Sequence, residues 1–325
     1  MRKRIIGRRQ KKPGWISCAA ALLAGCLLYC AARGAADAAP VFISQSAPPT
    51  TTGTTTAPGL PEDFLPTADN LHQLQTFDDI KKYLYYIDET AYADETLLDL
   101  DGLMAVDTKI KLSGKNEPKI LIFHTHSQED FIDSKPGEEA DTIVGAGSVL
   151  ADILARDYGV GVVHDFGQYD VVGGENVRGE SYERMAPNVR KILAKYPSVE
   201  VMIDLHRDGV PANTRLVTEI NGETVARLMF FNGILCERVG ERGQPVANLP
   251  NPYLKENLAM SLKMQLTANE RYPGFTRMLY LKPYRYSLHM RPKSLLVEAG
   301  ANTNTVDEVK KAMAPLAEIL YAVIQ

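Results

Sequence analysis

The 325-residue sequence predicts an α/β protein, a three-layer αβα domain around a largely parallel (mixed) central sheet, preceded by an N-terminal membrane anchor. Three observations predict it. From Lys119 onward short apolar runs alternate with stretches of helical periodicity, the pattern of a mostly parallel sheet covered on both faces. Hydrophobic residues make up 45% of the chain and charged residues 23%, enough apolar mass for a large core. The charge is unevenly placed. Residues 1–33 hold eight Lys or Arg and no acid, which leaves 28 basic against 40 acidic residues, a net of −12, for 34–325. A basic tip on an acidic body argues against nucleic-acid binding and for two compartments.

Taken in order, residues 1–14 read as a cytoplasmic basic tip. Residues 15–32 carry no charge, and these eighteen residues just reach the length that spans a bilayer. Seven positive charges ahead of them orient the segment with its N-terminus in the cytoplasm. The expectation is a retained, single-pass signal anchor in the cell membrane with everything beyond it extracytoplasmic. Cleavage near Ala36-Asp37-Ala38 and lipidation of Cys26 in the lipobox-like Leu23-Ala24-Gly25-Cys26 are the competing fates, and each also exports residues 34–325. Cys18, Cys26 and Cys30 fall in the apolar segment. Cys236 stands alone outside it, which excludes an internal disulfide there and suits a small buried hydrophobe. Residues 33–70, with Pro48-Pro49 and a Thr-rich run from Thr50 to Thr56, bury too little to offset ordering entropy and read as an extended linker.

Residues 71–117 are expected to form an N-terminal helical extension, with Phe77, Ile80, Tyr83, Leu84 and Ile87 marking a helix over 77–90. Residues 118–325 are the expected catalytic unit. Ile120-Leu121-Ile122-Phe123 reads as a buried strand. Val149, Leu150, Ile153 and Leu154 mark a helix ending at Gly159, and 160–163 a second strand. Val189, Ile192, Leu193 and Tyr196 mark a helix opened by Pro187, and 199–205 a third strand. Asn221-Gly222 between apolar runs predicts a type I′ hairpin over 216–230. Leu254, Leu258, Leu262 and Leu266 give a helix that stops before Pro273. Leu295-Leu296-Val297 is a buried strand, and Thr305 with Glu308 forms the capping box of the last helix.

Ligand sites in such sheets collect at the carboxyl ends of strands. The strand at 120–123 runs into His124-Thr125-His126-Ser127-Gln128-Glu129, the one at 199–205 into His206-Arg207-Asp208, and the one at 295–297 into Glu298. His126 and Glu129 are three apart, and a tight turn after a strand puts them on one side. With His206 they make a set of three zinc ligands that leaves one position open for water, the arrangement of a catalytic Zn2+ site. Glu298 has no His beside it and suits the general base. Asp204 or Asp208 would orient His206 through its other nitrogen. His124 lies on the same face as His126 by period-2 alternation, so it is an alternative ligand or supports the site from behind. Arg207 would polarise a carbonyl or hold a substrate carboxylate, or else pair with Asp204 or Asp208. His164 reads as structural. No G-x-S-x-G and no Walker A motif occurs.

The runs ILIFHTHSQE (120–129), VMIDLHRDG (201–209) and LLVEAGANTNT (295–305) resemble the stage II sporulation protein P family over residues 77–325. Its wider superfamily is similar to zinc-dependent N-acetylmuramoyl-L-alanine amidases. The resemblance implies an amidase/zinc-carboxypeptidase-like fold and a membrane-anchored peptidoglycan hydrolase acting in forespore engulfment. It implies amidase and possible cross-link endopeptidase activity, with stage II sporulation proteins D and M as partners. On this chain the match assigns the metal to His126, Glu129 and His206 and the catalytic carboxylate to Glu298. A zinc carboxypeptidase-like enzyme acting on wall peptides and a non-catalytic wall-binding subunit are the alternatives.

Overall fold

The structure is a computed structural model that describes residues 60–112, 116–246 and 248–325. The basic tip, the apolar segment 15–32 with its three cysteines and the linker up to residue 59 lie outside the described residues. Among the described residues no helix is long and apolar enough to cross a membrane.

The strands are β1 (Tyr85–Ile87), β2 (Pro118–Phe123), β3 (Gly161–His164), β4 (Val171–Val172), β5 (Glu175–Asn176), β6 (Val201–Asp208), β7 (Val217–Ile220), β8 (Glu223–Ala226), β9 (Leu228–Gly233), β10 (Cys236–Val239), β11 (Arg242–Pro245), β12 (Leu279–Lys282) and β13 (Ser294–Ala301). The α-helices are α1 (Phe77–Tyr83), α2 (Leu100–Met104), α3 (Ile143–Asp157), α4 (Ser181–Lys195), α5 (Leu254–Arg271) and α6 (Val306–Ile324). Seven strands form the central sheet in the order β1-β12-β9-β13-β6-β2-β3. All its pairings are parallel except β9 with β13, so the sheet is mixed as the sequence predicts. At that pair the direction reverses: β1, β12 and β9 run against β13, β6, β2 and β3.

Period-2 alternation divides the strands between two cores. On one face Ile120, Ile122, Ile203, Leu205, Leu295 and Val297 pack with the apolar sides of α3, α5 and α6. On the other, Leu121, Phe123 and Met202 meet Met185 and Val189 of α4. There Met229, Phe231, Tyr280 and Leu296 are covered by Leu288 and Tyr286 of the segment after β12. That second face therefore carries one helix and one irregular segment, and a groove runs between them.

Local chemistry sets the element ends. Thr305 and Glu308 close the capping box of α6, and Thr76 with Asp79 closes one on α1. Asn221 and Gly222 both take positive φ between β7 and β8, as a type I′ turn requires. Three elements differ from the sequence expectation. The helix expected over 77–90 ends at Tyr83, because buried Leu84 leads into Tyr85, Tyr86 and Ile87, which pair with β12 as the edge strand. The segment 71–117 thus contributes to the central sheet besides its helices. Pro187 lies inside α4 and does not open it. It sits on the exposed side, while Ser181 and Met185 continue the buried face back past it. The strand expected to run on from the hairpin breaks at Arg227, and β9 joins the main sheet instead.

Candidate active site

The strands carrying the candidate residues are longer than the apolar runs suggest. β6 continues to Asp208 and β13 to Ala301, so His206 and Glu298 lie within paired strands and not in the loops after them. They are register partners. Alternation puts Asp204, His206 and Asp208 on the face that α4 half covers. Above them the loop 124–129 is fixed by two buried aspartates. Asp204 accepts from the Thr125 N–H (3.0 Å) and hydroxyl (2.8 Å). Asp170 accepts from Ser127 N–H (3.1 Å), Ser127 Oγ (2.7 Å) and Gln128 N–H (3.1 Å). This brings His126 and Glu129 over β6: the His126 and His206 rings stand 5.3 Å apart, and Glu129 Oε2 is 3.5 Å from His206 Nδ1.

The second nitrogen of His206 faces Asp204 Oδ1 at 2.7 Å, and Ser287 Oγ donates to the other Asp204 oxygen at 2.8 Å. Burial opposes charge on His206, but Asp204 and Glu129 outweigh it and raise its pKa well above the ordinary value. Burial likewise pushes Glu129 up, while His206, Arg178 and Arg207 hold it at about 2. Burial, with the charge of His206 beside it, lowers His126 to about 4. Burial, then the charge of Asp208, raises Glu298 to about 8. Two buried atoms of the group have no hydrogen-bond partner, His126 Nδ1 and Glu298 Oε2.

His124 is fully buried and both its nitrogens are engaged. Nδ1 lies 2.8 Å from the Leu205 carbonyl, which can only accept, so Nδ1 carries the hydrogen. Nε2 then accepts from His164 Nε2 at 2.9 Å. His124 therefore supports β6 from beside the loop, and the structure does not present a nitrogen of it to the His126–His206 group. Arg207 is also turned elsewhere. Its guanidinium is tied to the Asp130 carbonyl (2.8 Å) and carboxylate (3.3 Å), while its backbone N–H donates to Glu129 Oε2 at 2.8 Å. Asp208 pairs with Arg277 at 2.8 Å and does not hold His206.

Among the described residues no group of three His, Cys, Asp or Glu side chains is gathered to hold a metal ion as placed. Glu129 is occupied by Arg178 Nη2 at 2.5 Å as well as by Arg207. The donor set nonetheless fits zinc chemically. It offers a neutral imidazole with an unpartnered buried nitrogen, an ionised carboxylate, and a second imidazole whose far nitrogen is held by an aspartate. Four residues of the site carried no sequence signal: Asp170, Arg178, Tyr182 and Tyr286. The Tyr182 ring meets His126 edge-on at 5.8 Å, and Tyr286 meets Tyr182 at 5.5 Å, which walls the groove beside Glu298. No spacing rule links them to the three motif runs.

The profile of the stage II sporulation protein P family matches residues 66–321. The chain is 22% identical over 214 residues to stage II sporulation protein P of Bacillus subtilis (strain 168), covering 62% of this chain and 49% of that one. It therefore spans about half the length of that curated relative. Among solved structures, N-acetylmuramoyl-L-alanine amidase AmiC2 of Nostoc punctiforme aligns with a TM-score of 0.37 at 16% identity, over 64% of this chain and 94% of that one. The CwlD amidase from Clostridioides difficile, solved in complex with the GerS lipoprotein, aligns with a TM-score of 0.37 at 13% identity, over 63% and 95%.

Proposed function

The chain belongs to the stage II sporulation protein P family, and from that membership we propose that it is a cell-wall hydrolase of sporulation. The specific reading is a zinc-dependent N-acetylmuramoyl-L-alanine amidase, with cleavage of peptide cross-links as a further capacity. The observation that carries it is the pairing of Glu298 with His206 in adjacent strands beneath His126 and Glu129. In this reading His126, Glu129 and His206 hold the metal, and zinc when bound supplies a Lewis acid that polarises the amide carbonyl and lowers the pKa of water.

The chain's own residues have distinct tasks. Asp204, itself fixed by Thr125 and Ser287, holds His206 by its Nε2 and so keeps Nδ1 toward Glu129. Glu298 takes a proton from the attacking water and passes it to the leaving amine of L-Ala. Burial and then Asp208 raise this carboxyl to about 8, so it keeps the proton once taken until the amine leaves, while taking it requires the ionised form, whose share grows as pH rises toward 8. Tyr182 and Tyr286 narrow the groove beside it and limit water access.

The basic residues before position 13 and the uncharged run 15–32 support placing the enzyme on the cell membrane by a single span, with the catalytic part outside the cytoplasm and residues 33–59 as reach. The end of the expected linker belongs to the folded body, where Leu60 and Phe64 pack on the main core and the Pro66 carbonyl accepts from Asn269. Peptidoglycan is then the substrate, and stage II sporulation proteins D and M are the proposed partners. The test is Glu298→Ala in zinc-loaded protein. The expected result is unchanged zinc content with cleavage of purified peptidoglycan reduced about 10²-fold or more. Full activity in that variant would sink the assignment.

A further inference from the structure

The two oxygens of Glu129 are not equivalent in the structure. Oε2 faces His206 Nδ1 at 3.5 Å and accepts from the Arg207 N–H at 2.8 Å. A carboxylate oxygen has two lone pairs, so Oε2 keeps one to offer. Oε1 is taken by Arg178 Nη2 at 2.5 Å, a charge-assisted bond. The hydrolytic reading gives Arg178 no task.

Arg178 lies between β5 and α4, and its backbone is held on both sides. Its carbonyl accepts from the N–H of buried Ser181 at 3.2 Å and from the Ser181 hydroxyl. The preceding Val177 donates its N–H to the Asp170 carbonyl at 2.6 Å, and its own carbonyl accepts from Arg184 Nη2 at 2.5 Å. Asp170 is also the residue whose carboxylate fixes Ser127 and Gln128, just ahead of Glu129. The guanidinium and the carboxylate it meets therefore hang from one frame. Their burial differs: the Glu129 side chain is 3% exposed and that of Arg178 52%. Water thus reaches the guanidinium and weakens its repulsion of a cation on the far side of the carboxylate, while the bond still fixes how the carboxylate is turned.

We propose that Arg178 is a positioning residue: by holding Oε1 it leaves Oε2 as the one Glu129 atom offered to the metal, and so keeps a coordination position open for water. The inference rests on the zinc reading and adds what the three ligands alone do not supply. A carboxylate free to rotate can bind through both oxygens and fill the position that a catalytic site keeps open. The opposite role, a guanidinium competing with the metal, fits the geometry less well, because Arg178 takes the oxygen other than the one nearest His206.

The test uses the full chain in detergent micelles, stripped of metal, as wild type, Arg178→Ala and Arg178→Lys. Each is titrated with zinc against a chromophoric chelator, and separately with Co2+, whose visible band is strong in four-coordinate sites and weak in five-coordinate ones. Wild type is expected to bind zinc and to give the strong cobalt band. Arg178→Ala should weaken zinc binding about tenfold or more and drop the band to the five-coordinate level. Arg178→Lys, which keeps the charge and a donor, should recover part of both. Unchanged or tighter zinc binding in a folded Arg178→Ala overturns the inference, and so does an unchanged cobalt band whatever the affinity does. A five-coordinate band in wild type overturns it even if neither variant folds. A wild type that takes up neither metal removes the zinc reading itself, and the inference with it.

Discussion

Histidines do opposite things in this molecule, and their partners decide which. His206 lies between Asp204 and Glu129 and favours its charged form, so the stability it contributes is fully present below pH 6.5 and is lost as pH rises through its elevated pKa. His124 and His164 are held neutral. Burial, followed by the charge of His164, lowers His124 to about 3, and burial lowers His164 to about 4. Depressed values reverse the sign: their contribution is present above pH 6.5 and is lost as pH falls toward 4, where the unfolded chain binds protons that the folded one refuses. Metal-free protein should therefore show a falling denaturant midpoint from pH 6.5 to about 4. His164→Gln keeps an amide donor for His124 Nε2 but removes one titrating group, so its midpoint should fall less steeply over that window. An equal or steeper fall would contradict the neutral-pair account. The sequence marked His126, Glu129, His206 and Glu298 as a group because each follows an apolar strand. It could not separate His124 from His126, since alternation puts both on one face. The distinction comes from the Leu205 carbonyl and from His164, which sit on other strands.

At the scale of elements, α3 is shaped by what it lies against. Gly147, in its first turns, is where the helix passes the His124–His164 pair. A Cβ at that position would stand 2.6 Å from His124 Nε2 and 2.9 Å from His164 Nε2. Glycine within a helix ordinarily costs about 1 kcal/mol relative to alanine, so Gly147→Ala on an open helix face would stabilise. Here the substitution should destabilise by about 1–3 kcal/mol, the usual cost of overpacking, as read by chemical denaturation. A gain in stability would show that the two rings yield easily. Elements with local signals were legible from sequence: the Asn221-Gly222 turn, the Thr305–Glu308 box, and the apolar runs of β2, β6 and β13. The others depend on distant partners. Tyr85-Tyr86-Ile87 continues a helical spacing by coincidence and becomes a strand because β12 accepts it. β12 itself, Leu279–Lys282, is four residues long between Met278 and Pro283, too short for a periodicity to mark it. Pro187 reads as a helix start, yet its side of α4 is exposed and one missing N–H there is tolerated.

Across the whole molecule, the sheet reverses direction where β9 meets β13, and the candidate site lies beside that seam. The three helices of one face fill it. The other face, with α4 at one side and the Tyr286–Leu288 segment at the other, leaves the groove in which Glu298 and His126 meet Tyr182 and Tyr286. Mixed strand direction was legible only in part, because the antiparallel β9 follows the hairpin without a turn signal of its own. In the proposed function this groove hydrolyses the amide between the lactyl group and L-Ala, with a metal held by His126, Glu129 and His206. The most direct measurement is mass spectrometry of purified peptidoglycan digested by the full chain, with zinc and with chelator. The account predicts stem peptides bearing a new L-Ala amine in the zinc sample and none in the chelated one. Release of single terminal amino acids with the lactyl–L-Ala bond intact, or equal digestion in chelator, would contradict it.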